Sequence, residues 1–256
     1  MELVKREVGN DTQRWFISPV KPPLADLQLF CLPYAGKGGA MFVPWLRALR
    51  HRVEVIPIQL AGRDSRKHER PAEAFAPLIG ELAGALWPRL HRPYALFGHS
   101  MGSLLAFELC RELRRLGAPA PVYLFVSGRM APQESVEPVA AGLDDDAFVE
   151  TIQRRFGGIP DSLLRDAELL RFFLPVLRAD FRLLGDYRFE DQPPLDCRIA
   201  AFGGRSDPCV SPVGLEAWAR HTRAAFEVQT FEGGHFYLHD QQPHLLRAIS
   251  NRLAGW

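Results

Sequence analysis

The sequence predicts an α/β fold, a mostly parallel central sheet flanked by helices, on three observations. Six apolar, β-branched or aromatic runs recur along the 256 residues, and most are separated by segments with helical spacing. One run also passes through a glycine-framed turn straight into a helical pattern, the strand-turn-helix unit of such folds.

The strand candidates are 27–33, 53–60, 94–97, 121–127, 198–203 and 225–231, and the helical segments include roughly 72–90, 103–116, 212–221 and 242–253. In 103–116, Leu104, Leu105, Phe107, Leu109, Leu113 and Leu116 mark an apolar side, with Arg111, Glu112, Arg114 and Arg115 mainly outward. Residues 129–196 interrupt the alternation and read as a helical insertion within a single domain spanning the whole chain. There, Asp144, Asp145 and Asp146 suit the first turn of a helix, which breaks at Gly157-Gly158-Ile159-Pro160. Asp161 is placed to cap a second helix through Leu163, Leu164, Leu169, Leu170, Phe172 and Phe173, which Pro175 kinks or ends. Lying after the strand that follows the turn-borne helix, this insertion is expected above the active edge of the sheet, as a lid.

Lys plus Arg (31) nearly balance Asp plus Glu (30), so no global charge points to nucleic acid or an anionic membrane. Charges occupy the start, where a secretory signal would need an apolar stretch, and no later run approaches the length of a membrane span. A cytoplasmic protein is expected, and nothing demands more than a monomer. Cysteines 31, 110, 197 and 209 are widely spaced, which suits reduced thiols better than a disulfide frame or a zinc site.

Chemistry concentrates at Gly98-His99-Ser100-Met101-Gly102. A serine on a sharp strand-to-helix turn presents its hydroxyl at the sheet edge, and glycines flank it because side chains there would meet backbone. A serine hydroxyl is a poor nucleophile near neutral pH, so Ser100 requires a base, a group that orients the base, and donors for the developing oxyanion. His235, in Gly233-Gly234-His235 after the last strand, is the expected general base. Asp207, at a turn after the 198–203 strand, completes the chain order Ser, Asp, His, although an aspartate before Pro208 also suits a plain Asx-turn. Met101 N–H, at a helix start, and Ala35 N–H, in the loop after the first strand, are the expected oxyanion donors. Tyr34 and the insertion phenylalanines Phe148, Phe172, Phe173 and Phe181 are candidates for acyl contacts; each phenylalanine alone would equally complete the insertion's own core.

Four stretches, Leu32-Pro33-Tyr34-Ala35-Gly36, Gln59-Leu60-Ala61-Gly62-Arg63, Phe97 to Gly102, and Gly233-Gly234-His235-Phe236-Tyr237, together resemble the stand-alone type II thioesterases that accompany polyketide synthases and nonribosomal peptide synthetases. Asp180, Phe181 and Tyr187 fall in a segment that is similar to that family's lid. The resemblance implies an α/β-hydrolase fold and hydrolysis of aberrant or stalled acyl groups from the phosphopantetheine arm of acyl or peptidyl carrier domains, with water as the only co-reactant, no cofactor and no metal. One departure stands out: Arg205 occupies the place, two before Asp207, where a second acidic residue is expected. A carrier presents an anionic phosphate and an acidic surface, so Arg63, Arg66, Lys67 and Arg70 are either a docking patch or, more plainly, a solvated loop. A general carboxylesterase or serine peptidase shares the same triad and remains open, as does a non-catalytic ligand-binding use of the fold.

Overall fold

The computed structural model describes residues 12–17, 25–50, 53–134, 139, 142–159 and 161–256. Its sheet is built from β1 (Leu27–Leu32), β2 (Val53–Pro57), β3 (Tyr94–His99), β4 (Tyr123–Ser127), β5 (Arg198–Gly204) and β6 (Phe226–Phe231), in the order β2-β1-β3-β4-β5-β6. Every adjacent pair is parallel. The helices are α1 (Val43–Leu49), α2 (Phe75–Leu86), α3 (Met101–Arg115), α4 (Asp145–Arg155), α5 (Asp161–Leu164), α6 (Ala167–Asp186), α7 (Pro212–Glu216), α8 (Tyr237–Asp240) and α9 (Gln242–Leu253). Among the described residues no helix is long and apolar enough to cross a membrane.

The near-continuous apolar runs follow from burial on both faces, as parallel sheets require. Along β1, Phe30 and Leu32 join a core with Leu82 of α2 and Leu105 and Leu109 of α3. Leu27, Leu29 and Cys31 turn to the other face, where they pack with Trp45 of α1 and Leu245 and Ile249 of α9. The same period-two split runs through β4, with Leu124 and Val126 on one side and Tyr123 and Phe125 on the other.

Each of the six expected strands is present, within three residues at either end. The short helices α1 and α8 escape the periodicity reading, because one or two turns supply too few apolar repeats to register. Arg111 departs from the outward placement expected of it: it is buried, its guanidinium donating to Glu108 Oε1 at 2.7 Å and to the Glu190 carbonyl at 2.6 Å.

Residues 129–196 carry α4, α5 and α6 and no strand among those described. One expectation here needs correction and another is narrowed. Asp161 opens only the four-residue α5, whereas the long helix is capped by Asp166, whose carboxylate accepts the Leu169 N–H at 3.0 Å. Of the two outcomes expected at Pro175, a kink or an end, the second does not occur: Pro175 lies inside that 20-residue helix, flanked by the buried Leu174 and Val176. Phe148, Val149 and Ile152 of α4 pack with Leu174 of α6 in a core of their own.

Candidate active site

The carboxyl ends of the strands meet at one edge. Gly98 lies opposite Leu32, His99 opposite Ser127, Ser127 opposite Phe202, and Gly204 opposite Phe231. The loops after β1, β3, β5 and β6 therefore converge, at the place where open parallel sheets bind ligands.

Ser100 is the residue between β3 and α3, and its backbone sits at φ 53°, ψ −113°. That lies outside the regions L residues favour and costs about 1–3 kcal/mol. The strain is held from both sides: Ser100 N–H donates to the Ser127 carbonyl at 2.7 Å, and the Ser103 hydroxyl bonds the Gly98 carbonyl at 2.8 Å. A Cβ on Gly102 would come within 2.2 Å of the Leu32 carbonyl oxygen, so glycine there lets the start of α3 close against the end of β1.

His235 Nε2 lies 3.0 Å from Ser100 Oγ, and His235 Nδ1 lies 2.7 Å from Asp207 Oδ2. A carboxylate at Nδ1 keeps the proton on that nitrogen and turns the Nε2 lone pair toward the serine hydroxyl. Both His235 and Asp207 are buried. The glycine pairs explain how their loops approach: a Cβ on Gly204 would come within 2.2 Å of the Gly234 carbonyl, and Ser206 N–H donates to the Gly233 carbonyl at 2.9 Å. Asp207 Oδ1 accepts the Cys209 N–H at 2.9 Å, so the Asx-turn and the histidine contact coexist on one carboxylate. Arg205 disturbs neither; it is exposed, paired with Glu232 and 3.4 Å from Thr230 Oγ1.

His99 lies behind the serine, buried, with Nδ1 2.8 Å from Ser127 Oγ, which is in turn 2.6 Å from the Tyr237 hydroxyl. Burial, then the neighbouring His235 and His239, hold its imidazole well below its ordinary pKa, so it is a neutral packing group behind the nucleophile. Cys209 is also unsuited to nucleophilic work, since burial and then Asp207 raise its thiol pKa.

Met101 N–H opens α3, where the first amides have no intrahelical acceptor. Ala35 and Gly36 form the middle of a turn closed by Lys37 N–H donating to the Tyr34 carbonyl at 3.1 Å, with Gly36 at φ +78°. Gly36 N–H donates to Asp180 Oδ2 at 2.7 Å. Asp180, on α6, is 1% exposed and forms a two-pronged pair with Arg63, at 2.7 and 2.8 Å. The fully buried Gln59 supports this corner, donating to the Arg63 carbonyl at 2.9 Å.

That geometry corrects the docking expectation. Arg63 is buried against Asp180, and Arg66 is buried, paired with Glu69 at 2.6 Å and stacked 4.1 Å from the Trp15 ring centroid. Their charges are spent internally, and of the candidate patch only Lys67 and Arg70 face solvent.

A cavity of about 520 Å³ opens onto Ser100 and His235, within the usual range for small-molecule sites. Tyr34, Phe173 and Phe181 line it, as do Phe156, Leu174 and Leu177. Two expected acyl contacts lie elsewhere: Phe148 is 2% exposed inside the insertion's core, and Phe172 is 59% exposed to solvent. Phe148 shares a stripe of α4 with the lining residue Ile152 but lies one turn earlier, and Phe172 sits on another face of α6 from Phe173, distinctions that apolar spacing in a helix-rich insertion does not make. Sequence reading gave Asp180 and Gln59 no role; the buried polar pairing across 117 residues that links Asp180 to Arg63 leaves no local signal.

A thioesterase-domain family model matches residues 27–253. The gramicidin S biosynthesis protein GrsT of Aneurinibacillus migulanus is 37% identical over 248 residues, 95% of each chain. Among solved structures, the RedJ thioesterase of the prodiginine pathway in Streptomyces coelicolor is 40% identical with a TM-score of 0.84, covering 92% of this chain and 94% of its own. The type II thioesterase BorB of the borrelidin cluster is 37% identical with a TM-score of 0.83, covering 94% and 98%. On a family match that takes in all six strands, and on relatives similar almost end to end, the chain is an α/β-hydrolase-fold enzyme of the thioesterase family and belongs with its type II members.

Proposed function

We propose that this thioesterase hydrolyses acyl groups from the phosphopantetheine arm of acyl or peptidyl carrier domains, clearing stalled or aberrant intermediates of polyketide or nonribosomal peptide synthesis in the cytoplasm. The observation that carries the reading is the Ser100–His235–Asp207 relay, at 3.0 and 2.7 Å, facing a largely apolar cavity. The pathway setting is supported by the relatives, whose names place them in gramicidin S biosynthesis and in the borrelidin biosynthetic cluster.

In this reading Ser100 Oγ attacks the thioester carbonyl while its proton passes to His235 Nε2, and Asp207 stabilises the imidazolium. The oxyanion is received by the N–H groups of Ala35 and Met101. The carbon–sulfur bond breaks, and the arm leaves as a thiol carrying the proton from His235. Water then attacks the acyl-serine, gives one proton to His235, and releases the acid as that proton returns to Ser100. The helices of 129–196 act as a lid, with Phe156, Phe173 and Phe181 beside the acyl chain.

Acid release from an acylated carrier domain by wild type and Ser100→Ala, beside a free short thioester and its oxygen-ester counterpart, tests this. Release strongest on the carrier and lost in the variant is expected. Turnover of the oxygen ester with none on the carrier would make the protein a general esterase, and retained hydrolysis in Ser100→Ala would remove the nucleophile assignment.

A further inference from the structure

We infer that Asp180 is a positioning residue for the oxyanion hole, so that the hole is complete only while the insertion helix α6 is docked on the turn after β1. The inference rests on the thioesterase reading for the role of Ala35 N–H, and goes beyond it by making one lid helix a structural part of the catalytic machinery.

Ala35 is followed directly by Gly36, whose N–H is held by Asp180 Oδ2 at 2.7 Å. The same oxygen accepts Arg63 Nη1 at 2.7 Å, and Oδ1 accepts Nη2 at 2.8 Å. Arg63 returns to the turn through its contact with the Lys37 carbonyl at 3.3 Å and is fixed at its base by Nε donating to the Ala61 carbonyl at 3.1 Å. One carboxylate from α6 thus grips the amide after Ala35 directly and the carbonyl of Lys37 through Arg63. Leu177, one helical turn earlier, seals the same side: a Cβ on Gly36 would come within 2.7 Å of Leu177 Cδ1.

Burying such an ion pair carries a desolvation cost that apolar side chains of similar size would avoid, so the pair is weak evidence for stability. Its geometry is suited to placement. The peptide that carries the oxyanion donor belongs to a half-buried turn outside the sheet, and preorganisation of such a donor tolerates displacements of only a fraction of an ångström. Phe173, Leu177 and Phe181 of α6 line the cavity while Leu177 and Asp180 hold the turn, so an acyl chain in the cavity packs on the helix that sets the hole.

Asp180→Asn is the direct test. Because Oδ2 accepts from both Gly36 and Arg63 and Oδ1 from Arg63, the new amide NH2 faces the guanidinium in either orientation and Gly36 N–H as well in one, which loosens the hold on the turn without deleting a backbone donor. The expected result is a fall in kcat of about 10–100-fold, below the 10²–10³ of outright donor loss, with KM changed less than about threefold. The inhibition constant of a boronic acid that forms a tetrahedral adduct on Ser100 should rise by the same factor, while binding of the product carboxylic acid is unchanged. A role in folding alone would lower Tm and leave both quantities at wild-type values, and that result overturns the inference. Should the variant fail to fold, hydrogen exchange in the wild-type protein decides: Gly36 N–H should exchange with the opening of α6, and exchange of Gly36 while α6 stays protected would overturn it. The boronate and exchange measurements need no thioester, so failure of the carrier-substrate reading would leave them intact.

Discussion

Gly98 lies directly against Gly102: a Cβ built on Gly98 would fall 2.0 Å from the Gly102 carbonyl oxygen and 2.5 Å from Ser103 N. Both obstacles are backbone, so no side-chain rotation relieves the overlap, and the end of β3 would have to separate from the first turn of α3. Gly98→Ala should therefore reduce kcat by at least about 100-fold through displacement of Ser100, and lower Tm as well. Gly84→Ala is the matched control. It adds the same methyl inside α2, where nothing lies within 4 Å, and should stabilise the protein by about 0.5–1 kcal/mol. Similar kcat values for the two variants would mean that the elbow does not need this contact.

Asp207→Asn should leave the fold in place and reduce kcat by about 10⁴ with little change in KM. An amide facing His235 Nδ1 at 2.7 Å offers a hydrogen where the carboxylate accepted one, which drives the imidazole proton to Nε2 and turns an N–H toward Ser100. Single-turnover acylation should slow as much as steady-state turnover. Loss confined to KM would assign Asp207 to substrate binding instead.

The site was legible wherever chemistry and backbone constraint fall within a few residues of each other. Gly98 to Gly102 announces itself because glycine is required where backbone presses on backbone, and Gly233 because its φ of +112° favours glycine, and the reactive side chains sit beside those glycines. Side-chain direction in the insertion was not legible. Phe172 and Phe173 are adjacent and equally apolar, yet a 100° step around α6 sends one to solvent and the other to the cavity. Charge was misleading for a related reason: Arg63 and Arg66 read as a surface cluster, yet the carboxylate partner of Arg63, Asp180, lies 117 residues away and the Trp15 ring that covers Arg66 lies 51 away, while Glu69 pairs with Arg66 locally. The long α6 was hidden by Pro175, whose helix-breaking tendency was overridden by tertiary contacts on either side of it.

The two phenylalanines that were expected in the acyl site but lie outside it make opposite predictions. Phe148→Ala removes a ring packed against Phe181 at 5.8 Å and covered by the Arg178 guanidinium at 4.3 Å, inside the insertion's core. Its cost should be about 3–5 kcal/mol, felt as early melting or proteolysis of 129–196. Phe172→Ser changes a residue 59% exposed and should stay within about 0.5 kcal/mol of wild type, with kcat and KM for a free short thioester unchanged. Limited proteolysis with turnover measured on the same samples checks both, and a large effect at Phe172 would mean that its exposed ring is covered by something in solution.

Acid should destabilise the protein well before its carboxylates are neutralised. His99 is held well below 6.5 by burial, then by His235 and His239, and His221 is pushed down to about 4 by burial, then by Arg111. In the unfolded chain both take up a proton near 6.5, while the folded protein does not, so the unfolded state binds more protons and stability falls as pH drops. Each such histidine contributes a slope of up to about 1.4 kcal/mol per pH unit, beginning near 6.5 and, for His221, ending near 4. Glu108, whose carboxyl is raised by burial, acts in the opposite sense at the acid end and offsets part of the loss. His221→Phe isolates one contribution. It places a ring among Phe107, Phe189 and Trp218 and gives up the 2.6 Å contact with Gln133, so it should be less stable than wild type at pH 8 by about 1–3 kcal/mol. Between about pH 6.5 and pH 4.5 its stability should nevertheless decline less steeply, by up to one proton's worth of slope, in denaturant unfolding measured across that range. Parallel curves for wild type and variant would show that His221 titrates alike in both states and that the acid sensitivity arises elsewhere.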